Sequence, residues 1–323
     1  MTTQDKIIAF IKEKGQTRAV DMVDYLGISK QALFKHLSKL VSSEVIIKIG
    51  RPPKVFYSLN KKIGLTSQTV LPEEIKKIIE QEFLIITPAG EKKMGVDGFV
   101  YWCDKNNLSI QKTADEYIKT LEKYDTHRQD GFIDGREKMK NTFSQVYLDQ
   151  VFYLDFYSIE RFGKTKLGQL LLYAKQSQNI ILMNEIITII KPKIEQLIKK
   201  FHIDAIAFVP PTVKRERQLM KVLSKGLTNN LRKISLTKIS TPVAIPQKTL
   251  NKLEDRIENA RSTFVVEDDD LFENILLVDD AIGSGATLNE VAKKIKDKKI
   301  CKGKIIGVSI TGSFKEFDVI SGV

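Results

Sequence analysis

Three apolar stripes at helical spacing open the chain. Ile7, Ile8, Phe10 and Ile11 give one face to a helix that ends at Gly15. Thr17 is placed to cap a second helix carrying Val20, Met22, Val23 and Leu26, with Gly27 to close it. Ser29 can cap a third, in which Leu33, Leu37 and Leu40 fall on one side. The pattern then becomes β-like: VIIKIG and VFYSL flank RPPK, which predicts two strands joined by a stiff basic tip.

Beyond residue 60 the periodicity weakens. Pro72 to Gln81 predicts a helix, FLIITPAGEKKMG a strand and a turn, and Leu108 to Tyr124 a further helix. Trp102 beside Cys103 reads as core, and Asp134, Arg136 and Glu137 as a solvated charged cluster. From about Leu167 helix and strand alternate. A long helix is expected over Leu170 to Lys200 with a break at Pro192, then AIAFV ending in Pro210-Pro211, a basic helix, and a strand around Ile234 to Ile239. An acidic segment leads to the strand NILLV, a helix from Thr287 to Lys298, and the strand KIIGVSI. Such alternation predicts an α/β fold with a mostly parallel sheet and ligands at the carboxyl ends of its strands. Three regions result: 1–60, a connecting segment 61–165 that could extend the first, dimerise or act as a lid, and 166–323.

Length changes the picture little, since 323 residues and 36.7 kDa hold two or three domains. Charge changes it more. The formal net charge is +12, which fits either a lysine-rich solvated surface or contact with phosphates. Residues 1–60 hold ten Lys/Arg against five Asp/Glu, Lys214 to Lys233 holds seven against one, and Val265 to Asp280 carries acids and no base. Charge is therefore organised by segment. Two cysteines, Cys103 and Cys301, are too few for a disulfide framework or a cysteine-built zinc site. No apolar run approaches ~18–20 residues, the nearest, Ile180 to Ile190, being broken by Asn184 and Glu185. The N-terminus lacks a signal-peptide pattern. A cytoplasmic protein with no membrane partner is expected, working as a homodimer.

The candidate chemistry lies in LLVDDAIGSGATL, Leu276 to Leu288. A glycine loop leading into a helix offers free N–H groups and the helix dipole to an anion. It is not a P-loop, because no lysine follows Gly285 before Lys293, and not a dinucleotide fingerprint, because position 288 is Leu. In either, Asp279 and Asp280 would repel the phosphates. The pair makes sense if the ligand turns hydroxyls towards it while its phosphate lies along the loop, as a ribose 5-phosphate would.

Two resemblances follow from these residues. GISKQALFKHLSKLVSSEVIIKIGRPPKVFYSL resembles the winged helix-turn-helix family through residues 1–60. That implies double-stranded DNA as partner, with Ser29, Lys30, Gln31, Phe34, Lys35 and Lys39 on the exposed face of the third helix and Arg51 and Lys54 on the wing. The alternative is a three-helix protein-interaction domain. The order of hydrophobic residues, two acids and a Gly/Ser/Thr loop resembles the phosphoribosyl pyrophosphate (PRPP) motif of type I phosphoribosyltransferases. It implies that fold and PRPP binding at Asp279, Asp280, Ala281, Ile282, Gly283, Ser284, Gly285, Ala286 and Thr287. FVPPTVKRERQLMKVLSKGL and IPQKTLNKLEDRIENARSTF resemble segments of ComF-type members. These imply pyrophosphate contacts from Pro211, Thr212, Arg215 and Arg217, and a mobile loop bearing Gln247, Leu250, Arg256, Asn259 and Phe264. LLLYAKQSQN resembles the family's start, so the likeness covers roughly the last 155 residues. The cysteine cluster of many ComF proteins is absent, and Gly283 stands where the first loop Thr is expected.

The resemblance implies Mg²⁺ bound with PRPP, no protein-held metal, and catalytic roles for Asp279, Asp280 and Arg256 if the site is active. Three readings stay open: a DNA-binding regulator that senses PRPP or a nucleotide, a working phosphoribosyltransferase with a winged helix for autoregulation or localisation, and an interaction protein with a dead site.

Overall fold

A computed structural model describes residues 2–43, 45–60, 71–213, 215–227, 231–239, 243, 245 and 249–313, with Arg51 by its backbone alone. The chain divides into two compact units, residues 1–70 with 87–91, and residues 71–86 with 92–323.

The smaller unit contains α1 (Thr3–Lys14), β1 (Gln16–Thr17), α2 (Ala19–Leu26), α3 (Lys30–Ser42), β2 (Ile46–Arg51) and β3 (Lys54–Leu59). Its three strands form an antiparallel sheet in the order β1-β3-β2. The apolar stripes converge: Ile7, Ile11, Met22, Leu33, Leu37 and Ile46 are fully or almost fully buried. A capping box opens α1, where Asp5 N–H donates to Thr2 Oγ1 at 3.2 Å and Thr2 N–H to Asp5 Oδ2 at 2.8 Å. Ser29 caps α3 by accepting from Ala32 N–H at 3.2 Å. Thr17 does not cap α2. It is buried in β1 opposite Tyr57, because the sheet needs it extended, and Arg18 takes the cap position with its N–H on Asp21 Oδ2 at 3.1 Å. At the tip of the hairpin Gly50 has φ +87°, and a Cβ there would lie 2.4 Å from the Lys54 carbonyl oxygen. Only glycine fits that turn.

The larger unit opens with α4 (Glu73–Glu82), the hairpin β4 (Leu84–Ile86) and β5 (Lys92–Met94), α5 (Gly95–Lys105) and α6 (Ile110–Asp125). Next come β6 (Arg128–Gln129), β7 (Phe132–Asp134), α7 (Arg136–Thr142), β8 (Gln150–Phe156) and the small pair β9 (Ser158–Ile159) and β10 (Gly163–Lys164). The second half contains α8 (Lys166–Ser177), α9 (Ile180–Lys200), β11 (Ala205–Phe208), α10 (Leu219–Leu227), β12 (Arg232–Ile234) and β13 (Leu236–Lys238). It ends with α11 (Leu253–Thr263), β14 (Phe264–Val266), β15 (Ile275–Ile282), α12 (Ala286–Asp297) and β16 (Ile305–Gly312).

Seven strands form one sheet in the order β12-β11-β15-β16-β8-β7-β6. The pairings from β12 to β8 are parallel and those among β8, β7 and β6 antiparallel. Side chains alternate along β15. Leu276 and Val278 face α8, α9 and α10 together with Ile206, Ile306 and Val308. Ile275 and Leu277 face α11, α12 and the helices before β8 together with Ala205 and Ile305. The result is a mixed α/β unit with a large, mostly parallel sheet covered on both faces.

Three sequence expectations change here. The long helix breaks at Gln178, which takes φ 52°, and not at Pro192, which lies inside α9. Asn179 restarts the helix by accepting from Ile181 N–H at 2.9 Å. The strand expected around Ile234 to Ile239 is two short strands in different sheets, β12 beside β11 and β13 paired antiparallel with β14. Finally, the weakly patterned segment 61–165 supplies β6, β7 and β8, and β8 lies within the sheet beside β16. Its helices meet through an aromatic cluster in which Tyr117 sits 5.5 Å from Phe83 and 5.0 Å from Phe162. Trp102 joins that cluster and Cys103 is buried, its thiol pushed up to about 11 by burial. Asp134 and Arg136 form a half-exposed ion pair at 2.6 Å.

The charged stretch of β15 depends on this packing. Leu276→Ala, at a fully buried position, is expected to cost about 2–5 kcal/mol in urea unfolding with an unchanged slope. Leu271→Ala, at a position 55% exposed, is expected to stay within about 0.5 kcal/mol. Equal losses would contradict the assigned faces.

Candidate functional site

The acid pair lies inside β15. Asp279 is opposite Ser309, Ala281 opposite Thr311 and Ile282 opposite Gly312, so β16 carries the ladder past the acids. Ala281 and Ile282, expected in the loop, are therefore strand residues, and Ile282 is buried in the core. The loop shrinks to Gly283, Ser284 and Gly285. Gly285 caps α12 with φ +83°, and a Cβ there would lie 2.4 Å from Met139 Sδ. Ser284 is buried and its Oγ accepts from Ala286 N–H at 3.3 Å. The end of β15 thus meets the first turn of α12, where Ala286 and Thr287 sit and the N–H groups and the positive end of the helix dipole gather. Asn289 fixes α12 to the preceding segment by accepting from Tyr147 N–H at 2.8 Å and donating to the Gln145 carbonyl at 3.0 Å.

The two carboxylates are held differently. Asp280 Oδ2 accepts from Lys175 Nζ at 2.9 Å, with the two side chains 17% and 13% exposed. Asp279 Oδ1 accepts from Asp280 N–H at 2.7 Å. Burial, then the neighbouring Asp280 charge, pushes the Asp279 carboxyl well above the usual carboxylate range, against the pull of that N–H, Lys175 and Lys238. Lys238 is pushed down to about 8 by burial, against the attraction of Asp279. Its Nζ donates to Thr212 Oγ1 at 2.9 Å and lies 4.5 Å from the Phe264 ring centroid. Two carboxylates, two ammonium groups and a helix N-terminus therefore meet at one strand end. Such a site suits a ligand that carries hydroxyls and anionic oxygens together.

Pro211 and Thr212 reach the same place. Phe208 of β11 is opposite Val278, and Val209 N–H donates to the Val278 carbonyl at 2.9 Å, so the residues that follow leave the sheet beside the acids. Arg215 is half-buried, and Arg217 is exposed with its backbone N–H on Gln178 Oε1 at 2.9 Å. The segment read as a mobile loop differs. From Leu253 it is the helix α11, and Arg256 is buried in it with Nε donating to the Leu250 carbonyl at 2.8 Å. Asn259 lies on that helix and Phe264 is buried in β14, whereas Gln247 lies outside the described residues.

Lys175 and Lys238 were not singled out from the sequence. Lys175 lies 105 residues from its partner, on a helix where any lysine reads as surface. Lys238 sits in a short strand whose pairing with β14 no local pattern reveals.

In the smaller unit Ser29, Lys30, Gln31, Phe34, Lys35, Lys39 and Lys54 are all exposed. Lys30, Gln31, Phe34 and Lys35 frame one shallow depression on α3, and Phe34 is 43% exposed despite being aromatic. Arg51 ends β2.

No protein-family model matches the chain, and no curated protein does. Among solved structures, the chain is similar to a hypoxanthine phosphoribosyltransferase from Staphylococcus aureus, at 14% identity and a TM-score of 0.23 over 39% of this chain. The likeness spans about three fifths of that enzyme, 61% of its chain. Among the described residues no helix is long and apolar enough to cross a membrane.

The raised Asp279 carboxyl gives a signed prediction. A raised carboxyl binds a proton in the folded state that the unfolded chain has released, so its contribution to stability is present below about pH 4 and lost as pH rises through the folded value. Asp279→Asn is expected to unfold at higher urea than the native protein at pH 8, the difference vanishing towards pH 4. A variant less stable at pH 8 would contradict the assigned environment.

Proposed function

We propose that the chain is a DNA-binding regulator of the winged helix-turn-helix kind whose larger unit senses PRPP or a nucleotide. One observation carries the ligand half: Asp279 and Asp280 lie near the carboxyl end of the parallel strand β15, which leads through a short glycine loop into a glycine-capped helix. A phosphate ligand alone would be repelled by the acids and a sugar alone would leave the helix N-terminus unused. A ribose 5-phosphate answers both, its 2′- and 3′-hydroxyls donating to the carboxylates and its phosphate taking N–H groups at Gly283 to Thr287. The pyrophosphate of PRPP then falls towards Pro211, Thr212, Arg215 and Arg217, with Lys238 already at Thr212. Mg²⁺ enters this reading as part of the Mg-PRPP ligand. Lys175 holds Asp280 in place and neutralises it until ribose hydroxyls arrive.

The DNA half rests on the order α1, α2, α3 and basic-tipped hairpin, and on the exposed row Lys30, Gln31, Phe34, Lys35 and Lys39 of α3. A helix so exposed and basic suits a major groove, and Arg51 and Lys54 suit the backbone beside it.

The lysine at Thr212 favours a second reading, an active phosphoribosyltransferase. In that reaction the bond from C1 to pyrophosphate breaks through a cation-like transition state while a nucleobase nitrogen bonds to C1. Lys238, Arg215 and Arg217 would neutralise the departing pyrophosphate. Arg256, buried in α11, enters neither reading as a ligand contact.

Two measurements test these proposals. Replacing Asp279 and Asp280 together with Asn is expected to weaken Mg-PRPP binding in calorimetry, each charged hydrogen bond contributing about 1.5–3 kcal/mol. Unchanged affinity would remove the ligand assignment. The full chain is then titrated with duplex DNA from its own upstream region, with and without saturating Mg-PRPP. Affinity is expected to fall steeply with salt, to lose about one unit of salt slope per phosphate contact removed at Lys30, Lys35 or Lys54, and to change roughly 5- to 150-fold with ligand. DNA must change PRPP affinity by the same factor. Equal DNA affinities with measurable pyrophosphate release would favour the enzyme.

A further inference from the structure

The exposed face of α3 carries more than charge. Leu33, Leu37 and Leu40 are buried on one side of the helix, and Lys30, Gln31, Phe34, Lys35, Ser38 and Lys39 are exposed on the other. At about 100° per residue, Gln31, Phe34 and Ser38 fall on one line along the helix, with Lys30 on one side of it and Lys35 and Lys39 on the other. The shallow depression on this helix is bounded by Gln31, Phe34 and Ser38 of that line and by Lys30 and Lys35. No acid occurs anywhere in α3.

Phe34 is the informative member. A single exposed apolar side chain is ordinary on a surface, but this one, 43% exposed, is an aromatic ring set between lysines. Lysines on both flanks suit the two phosphate strands that border a major groove, which leaves the central line for base edges. Among those edges a phenyl ring has one apolar partner, the thymine methyl. A carboxamide both donates and accepts, and so matches the N6 amino group and N7 of adenine. Ser38 can serve either sense and selects little. The helix has no arginine to fork onto guanine and no acid to accept from cytosine N4. Residues three apart on a helix stand about 5–6 Å from each other, so Gln31 and Phe34 together reach one step of two base pairs, stacked about 3.4 Å apart.

We infer that Gln31 and Phe34 are the sequence-selecting pair of the smaller unit and that they choose a step containing an A·T pair. Gln31 makes two hydrogen bonds to an adenine, and Phe34 packs on a thymine methyl of the same step. The inference rests on the reading of the smaller unit as a DNA-binding module, and it divides that surface: lysines supply affinity, and these two residues supply choice.

The test begins with the full chain and a pool of duplexes randomised over about 20 base pairs, enough for two half-sites. The enriched sequence is expected to contain the A·T step. In a duplex of that sequence, uracil in place of the thymine removes one methyl and is expected to weaken binding about fourfold. A G·C pair in place of the adenine's pair is expected to weaken it about tenfold. Phe34→Ala is expected to abolish the preference for thymine over uracil, Phe34→Leu to keep it, and Gln31→Ala to abolish the preference for A·T over G·C. Lys54→Ala, on the wing, is expected to weaken every duplex alike and keep both ratios. These substitutions leave the buried side of α3 untouched, and unchanged urea unfolding checks the fold. Enrichment of no sequence, ratios that survive Phe34→Ala and Gln31→Ala, or ratios that fall as far in Lys54→Ala would overturn the base reading while leaving a salt-dependent DNA binder. Failure to bind any duplex at low salt would overturn the DNA reading itself, and this inference with it.

Discussion

The register of β15 between β11 and β16 is the constraint on which the larger unit depends. Phe208 opposite Val278 and Asp279 opposite Ser309 fix where the apolar half of the strand ends and where its charges begin. Shifting that register by one residue would turn Leu276 and Val278 to the other face and move the acids off the strand end. The same pairing delivers the loop after β11 to the acids, and thereby Thr212 to Lys238. Core packing and site geometry are one decision made by one ladder.

Two adjacent carboxylates at a partly buried strand end are a cost in isolation, and the surrounding cations set how that cost is distributed. Lys175 takes Asp280 in a direct pair, while burial and then the Asp280 charge push the Asp279 carboxyl up to about 7. Lys238 is in turn weakened as an acid-base partner by its own burial against Phe264. Burial is thus the largest cause of the shift at both Asp279 and Lys238, ahead of the charges beside them.

Much of this was legible from residue order. The three apolar stripes and the Gly50 turn of the smaller unit are local, and local patterns survive folding. Likewise β11, β15, α12 and β16 announce themselves through unbroken apolar runs and a helix of regular period, so the acid pair and its glycine loop were placed on the right strand end. What was not legible is long-range. The extension of β15 through Ile282 is imposed by β16, the break at Gln178 by a left-handed residue that Pro192 obscured, and the role of Lys175 by a partner far along the chain. Arg256 was expected in a mobile loop because its segment resembles that of ComF-type proteins, and the structure buries it in the helix α11. The segment before residue 165 was opaque because its strands are short and its core is aromatic, so neither period shows.

The position of β8 has a practical consequence for anyone handling fragments of this protein. It covers the flank of β16 with a parallel ladder from Gln150 to Phe156. A fragment beginning after residue 165 would keep every residue of the acid-pair motif but strip that flank, leaving β16 as a long, apolar, unprotected edge. Edges of that kind pair with one another in solution. The natural unit of expression is therefore set by hydrogen-bond closure of the sheet, and a fragment cut to the motif would precipitate through the strand that supports it.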